Sequence, residues 1–320
     1  MSKKRNIKKS TIKFFSFVII FLVIGISIIK YIEYRNSYKF KFKKLGYNEN
    51  QIKKLETLSI ETKDYILTLK KNNYIIKLMD QKYFIESNLK KYLKYQKTLK
   101  KDINNTIAIV NVGSNNDWYT NTKKTDINLN ELMLTNKFYY LDESYNSDKM
   151  VKVSNIYSYG TNQMLTEDTF SAFKKMFDAA RKDNLTLIIN SSYRSYEDQE
   201  EIYSYYKSSK GEEYADNIAA HAGFSEHQTG MAIDLQTYGS TAATFENFDE
   251  FKWLEKNAYK YGFILRYPKD KEYLTGYEYE SWHYRYVGVK AAKYIYENNI
   301  TFDEYYAYFI EGKHEKEKKQ

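Results

Sequence analysis

Histidine is scarce in this chain, and three of its four copies stand near carboxylates. His227 and Asp234 lie seven apart in SEHQTGMAIDL, and Glu280 and His283 three apart in YESWHYRY. Two imidazoles and one carboxylate make a competent donor set for Zn²⁺ and leave a fourth position to water. A second carboxylate near that water can take its proton and later deliver it to a leaving amine, and Glu280 is placed for this. The His-Glu-x-x-His pattern of helical zinc peptidases is absent. The same residues also admit ordinary roles, with His227 a surface loop residue, Asp234 a strand-end cap, and Glu280 with His283 a surface pair. His221 has no partner in this spacing and reads as structural or solvent-facing. His314 lies in the tail GKHEKEKKQ and reads as solvated.

Other chemistries find less support. Ser-x-x-Lys occurs at Ser10, Ser87, Ser171 and Ser204, as chance produces in a chain with this much Lys, and its companion signatures are missing. Gly-x-Ser-x-Gly is absent, since GFSEH carries His where the second Gly belongs. The chain has no Cys, which removes thiol nucleophiles, disulfides and Cys-type zinc sites.

The elements that must position these residues alternate between helical and strand patterns. TIAIVNVG at 106–113 is apolar and β-branched and predicts a strand. LTLIIN (185–190), MAIDL, FILRY and WHYRYVG predict further strands, with Trp282 on the face opposite His283 and a local bend bringing Glu280 to His283. LTEDTFSAFKKMFDAARKDN predicts an amphipathic helix with Thr166 as N-cap. SYEDQEEIYSYYKSS, NFDEFKWLEKNAYKYG and VKAAKYIYENN predict three more. Mixed order and short connections indicate an α+β domain over 106–312. Residues 33–105 are charged and helix-like, with a possible Asn48/Gln51 capping box, and read as a helical stalk or small helical subdomain. Residues 313–320 form a charged tail.

Net charge is +9, but the first 30 residues hold seven basic side chains and no acidic one. Basicity therefore belongs mostly to the N-terminus, and no nucleic-acid partner is expected. A basic tail (1–13) precedes the uncharged run FFSFVIIFLVIGISII, which at 1.5 Å per residue spans about 24 Å. Extended to Ile32, it predicts a single-pass anchor over 14–32, N-terminus cytoplasmic and the rest extracytoplasmic. A cleaved signal peptide, cut near Gly25-Ile26-Ser27, is the rival reading.

Three blocks, SSYRSYEDQ (191–199), GFSEHQTGMAIDL (223–235) and GYEYESWHYRYVG (276–288), together resemble the zinc D-alanyl-D-alanine carboxypeptidases, the VanY-like metallopeptidases. LTNKFYYL (134–141) and GFILRYP (262–268) fit as well, and the likeness covers roughly 130–300. The resemblance implies one Zn²⁺ held by His227, Asp234 and His283, with Glu280 as catalytic base. It implies Arg194 facing the substrate and the developing oxyanion, Ser225 holding the substrate carboxylate, and Gln199 in substrate binding. It also implies a small antiparallel sheet with flanking helices, shared with hedgehog-type and lysostaphin-type folds, and peptidoglycan stem peptides ending in D-Ala-D-Ala as substrate. Two departures, Ala222-Gly223 for Pro-Gly and Glu280-Ser281-Trp282-His283 for Glu-Pro-Trp-His, lose prolines and no ligand. A related D,D-dipeptidase or stem-peptide endopeptidase, or a non-catalytic wall-binding protein, would share most of these features.

Overall fold

The computed structural model describes residues 2–96, 102–147 and 149–311, with side chains from Ile12 onward. The tail carrying His314 lies outside the described residues. The chain divides into two compact units, Met1–Asn104 and Asn105–Gln320.

The first unit opens with α1 (Ser2–Asn36), a single unbroken helix. Its stretch Ile12–Asn36 is long and apolar enough to cross a membrane, and no residue of its most apolar window is buried within the protein. Five short helices follow: α2 (Tyr38–Lys44), α3 (Glu49–Glu56), α4 (Ile60–Leu67), α5 (Asn73–Met79) and α6 (Leu89–Gln96). Asn48 and Gln51 close a reciprocal capping box at the start of α3. Phe42, Leu55, Ile66, Ile75, Leu78 and Tyr92 are fully buried between these helices, which gives the unit a core of its own. Residues 31–104 hold eighteen Lys and Arg against eight Asp and Glu, whereas residues 105–320 hold twenty-five against thirty-three. The small balance after residue 30 thus conceals a basic helical unit and an acidic mixed one. Lys30, Arg35, Lys39, Lys41, Lys43 and Lys44 follow the apolar run as closely as the N-terminal cluster precedes it, so charge alone does not orient the helix.

The helix α7 (Ile103–Val112) starts two residues before the second unit and runs into it, where the sequence predicts a strand. Thr106 through Asn111 are all buried. A short apolar run covered on every side has no periodicity to separate helix from strand, and burial overrides the β-branched preference. Two small pairs come next: β1 (Lys123–Lys124) parallel to β2 (Tyr139–Tyr140), and β3 (Met150–Lys152) antiparallel to β4 (Met164–Thr166). The remaining elements are α8 (Glu167–Lys182), β5 (Ile188–Ser191), α9 (Tyr196–Lys210), α10 (Glu212–Ile218), β6 (Ala232–Gln236), α11 (Asp249–Asn257), β7 (Phe263–Leu265), α12 (Glu272–Thr275), β8 (His283–Tyr286), α13 (Gly288–Asn298) and α14 (Phe302–Tyr306). Thr166 stands at the N-cap of α8, but its hydroxyl bonds Thr169 Oγ1 at 2.7 Å rather than a backbone N–H.

The central sheet has the order β5-β6-β8-β7, every neighbour antiparallel. Alternation along the strands separates its two faces. Ile189, Ile233, Leu235, Phe263 and Tyr284 enter one hydrophobic cluster with Phe173, Met176 and Ala180 of α8 and with Phe251 and Leu254 of α11. Trp282 packs against the same cluster. Asp234, His283 and Arg285 alternate with these apolar residues and project from the opposite face. The hydrophobic face therefore supplies stability and rigidity, and the other face is free for polar chemistry.

Candidate metal centre

Asp234 and His283 are direct cross-strand partners in β6 and β8, which places their side chains side by side. His227 arrives from a single 3₁₀ turn, Glu226–Thr229, immediately before β6. Ser225 opens this turn by accepting the His227 N–H, and Gly230 closes it in the left-handed conformation at φ 69°. A β-carbon at Gly230 would meet Met150 Sδ at 2.6 Å, so glycine satisfies both the turn and the close approach of β3. The bend at 280–283 is real too, with the His283 N–H donating to Glu280 O at 3.3 Å.

The three side chains converge. His227 Nε2 lies 3.4 Å from Asp234 Oδ2, and His283 Nδ1 lies 3.0 Å from Asp234 Oδ1. All three donor atoms fall within 4.8 Å of one another. Bonds of about 2.0–2.1 Å in a tetrahedron require donor separations of about 3.3 Å, so the set fits zinc. The second nitrogen of each ring fixes which one faces the centre. His227 Nδ1 lies 2.6 Å from the Ser192 carbonyl, so it carries the proton and leaves Nε2 bare. His283 Nε2 points away, 3.5 Å from Glu226 Oε2.

Without a cation the centre is electrostatically tense. Burial resists ionisation of Asp234, but the two histidines outweigh it and hold the carboxyl well below the ordinary range. Burial keeps His227 below its usual value against the pull of Asp234. In His283 burial opposes the charged ring, yet the bond to Asp234 and the nearby Glu226 carboxylate outweigh it and push the group up to about 9. Burial raises Glu280 to about 8, with Asp234 adding to the rise and His283 opposing it. A raised histidine is protonated at neutral pH and must release that proton to ligate a metal. Apparent zinc affinity therefore rises with pH until about 9 and falls on acidification by roughly tenfold per unit for one proton displaced. Competition titrations against a chelator across that range check this, and a pH-independent affinity would remove His283 from the donor set.

A cavity of about 440 Å³ opens over the triad. Glu280 stands on its wall, with Oε2 3.6 Å from His283 Nδ1. Arg194, in the loop after β5, donates through Nη1 to Gln199 Oε1 at 2.6 Å and through Nη2 to Ser191 Oγ at 3.2 Å. Gln199 lines the cavity, but its amide is committed, donating also to Ala220 O at 2.8 Å. Ser225 lines the cavity beside His227. His221 is not part of the cavity wall. It bonds Asp216 at 2.9 Å and stacks on Tyr119 at a centroid distance of 3.8 Å.

The sequence reading passed over the charges behind the triad. Glu226 Oε1 accepts from Arg266 Nε at 2.8 Å and from Arg285 Nη1 at 3.1 Å, and Arg266 grips Asp303 through two further bonds. All four side chains are buried. One signal was present, because the alternation in HYRY puts Arg285 on the same face as His283. Nothing local indicates that Arg266 and Asp303 join it.

Two buried imidazoles and a partly buried carboxylate converging within 4.8 Å, with a further carboxylate on the wall of the cavity above them, make the donor set and acid–base group of a zinc peptidase. A family model described as VanY, D-alanyl-D-alanine carboxypeptidase, matches residues 162–289. The chain is 43% identical over 190 residues to the putative carboxypeptidase YodJ of Bacillus subtilis (strain 168), covering 55% of this chain and 67% of that protein. It is 38% identical over 192 residues to a D-alanyl-D-alanine carboxypeptidase of Enterococcus faecium, covering 58% and 59%. Among solved structures, the LdcB LD-carboxypeptidase matches with a TM-score of 0.55 and 39% identity, covering 59% of this chain and 91% of that one. The chain belongs to the VanY family of carboxypeptidases.

Proposed function

We propose that this protein is a membrane-anchored zinc D,D-carboxypeptidase that removes the terminal D-Ala from peptidoglycan stem peptides ending in D-Ala-D-Ala. The observation that carries the reading is the Glu280 carboxylate on the wall of a cavity whose floor holds the three donors. His227, Asp234 and His283 would hold the zinc, which when bound would supply Lewis acidity and lower the pKa of a water. Glu280 takes a proton from the attacking water and hands it to the amino group of the departing D-Ala. Its elevated proton affinity suits a group that must both accept and donate.

Arg194 faces the developing oxyanion, and its bonds to Gln199 and Ser191 hold the guanidinium in place before substrate arrives. Gln199 acts on substrate chiefly through Arg194. The Ser225 hydroxyl proton is available to the substrate carboxylate. Arg194→Lys keeps the charge and loses the fork, so kcat falls by up to about 10²-fold while KM changes little. A rise in KM at constant kcat would instead assign Arg194 to the substrate carboxylate, and a lowered melting temperature with unchanged kinetics would make it structural.

The apolar helix α1 supports a single-pass anchor, and a peptidoglycan substrate supports an extracytoplasmic catalytic domain. The lysines that follow α1 in the basic unit suit a position at an anionic headgroup surface. The antiparallel sheet with its flanking helices is also compatible with the hedgehog-type fold group.

The likeness to an LD-carboxypeptidase favours a second reading, cleavage of an L,D bond in a shorter stem. Measuring free D-Ala released from a pentapeptide ending in D-Ala-D-Ala, from a tetrapeptide and from the D-Ala-D-Ala dipeptide, with and without chelator, decides between them. Chelator-sensitive release from the pentapeptide is expected. Release from the tetrapeptide alone would favour the L,D reading, release from the dipeptide alone a dipeptidase, and no release from any a wall-binding role.

A further inference from the structure

We infer that Glu226 is a positioning residue that selects the His283 tautomer able to bind the metal, an inference that rests on the proposed role of His283 as a ligand. Glu226 and His283 each present one buried polar atom with no hydrogen bond, Oε2 and Nε2, and these two atoms face each other at 3.5 Å. Burying two polar groups without a partner is unfavourable, so the pair is relieved when Nε2 carries a hydrogen toward Oε2.

The competing pull comes from the other side of the ring. Once the ring has released the proton that a ligand must lose, Asp234 Oδ1, 3.0 Å from Nδ1, favours keeping the remaining hydrogen on Nδ1, which would block the lone pair the metal needs. In that tautomer the Nε2 lone pair would face the Glu226 carboxylate, and the two would repel. Glu226 therefore opposes the unproductive tautomer that Asp234 alone would favour.

The carboxylate cannot turn away from this task. Its other oxygen is held by Arg266 and Arg285. Arg266 is locked to Asp303 at 2.6 and 3.1 Å, and Arg285 donates to the carbonyls of Met133 at 2.8 Å and Glu131 at 3.2 Å. Two arginines balance two carboxylates in this cluster, which carries no excess charge of its own. Phe302 of α14 covers both guanidinium groups. The whole arrangement is a rigid backing for one imidazole nitrogen.

The test uses the full chain in detergent. In Glu226→Gln a neutral amide can turn either its oxygen or its NH₂ toward Nε2 and so selects neither tautomer. Zinc affinity, measured by chelator competition at fixed pH, is expected to weaken about 10- to 100-fold, with kcat at saturating zinc within a few-fold. This variant also leaves an unbalanced arginine and loses melting temperature. The double variant Glu226→Gln with Arg285→Gln restores the charge balance. It is expected to recover melting temperature but not zinc affinity, and it carries the test if the single variant fails to fold. In the zinc-loaded wild-type chain the His283 Nε2 proton should give a slowly exchanging downfield resonance that Glu226→Gln loses. Affinity that returns along with melting temperature, or an unweakened single variant, would overturn the inference and make Glu226 purely structural. His283→Ala separates the two levels. If it keeps zinc at full stoichiometry, the ligand reading fails and the inference with it, whereas zinc loss there without weakening in Glu226→Gln sinks the inference alone.

Discussion

Glu280→Gln is expected to keep its zinc and to lose about 10²–10⁴-fold in kcat, the usual contribution of a general acid–base group. The substitution is nearly isosteric, so the cavity wall should keep its shape. Glu280 lies 3.6 Å from His283 Nδ1, outside hydrogen-bond distance, and it is not one of the converging donors. The amide removes the proposed proton shuttle and also removes a buried group that burial already disfavours as a charge. Metal content should therefore stay near one per chain, and the metal-free protein should be no less stable than wild type. Metal analysis, a thermal melt and steady-state kinetics on one preparation suffice. Activity within a few-fold of wild type would take the role of base away from Glu280.

Asp234→Ala should abolish stoichiometric zinc and reduce activity to background. Asp234 is the hinge of the set, with one oxygen 3.4 Å from His227 and the other 3.0 Å from His283. Its removal leaves two imidazoles, too few donors for a closed tetrahedral site. In the wild-type chain zinc is expected to stabilise the folded state by up to RT ln(1 + [Zn]/Kd) and so to raise the melting temperature. The variant should show no such rise. A folded variant that still binds zinc and melts higher with it would show that the metal sits elsewhere. Because β6 keeps Ile233 and Leu235 in the core, the sheet itself should survive the substitution.

The residues of the centre were legible because their chemistry and their local spacing agree. Period-two alternation in MAIDL and HYRY turns Asp234 and His283 away from the core face whatever the rest of the chain does. Gly230 is readable as the turn that returns the chain toward His227. The helix at 196–210 is announced by its Ser195–Asp198 capping box, and those at 167–182 and 288–298 by their apolar faces. The segment 106–113 was misread for a definite reason. Its side chains are apolar in every direction, and only the packing around it decides that it coils into α7.

What the tertiary structure alone decided lies in contacts between distant segments. Cross-strand register sets Asp234 beside His283 across 49 residues, and no local rule fixes which strands pair. Whether an imidazole offers Nδ1 or Nε2 depends on what stands behind it, Ser192 O for His227 and Glu226 for His283. The pairing of Arg266 with Asp303 is likewise invisible in sequence, since a charged residue reads as exposed until its counter-charge arrives from elsewhere in the chain. Identity and spacing name the donors; only burial among partners brought from far along the chain sets their protonation and aim.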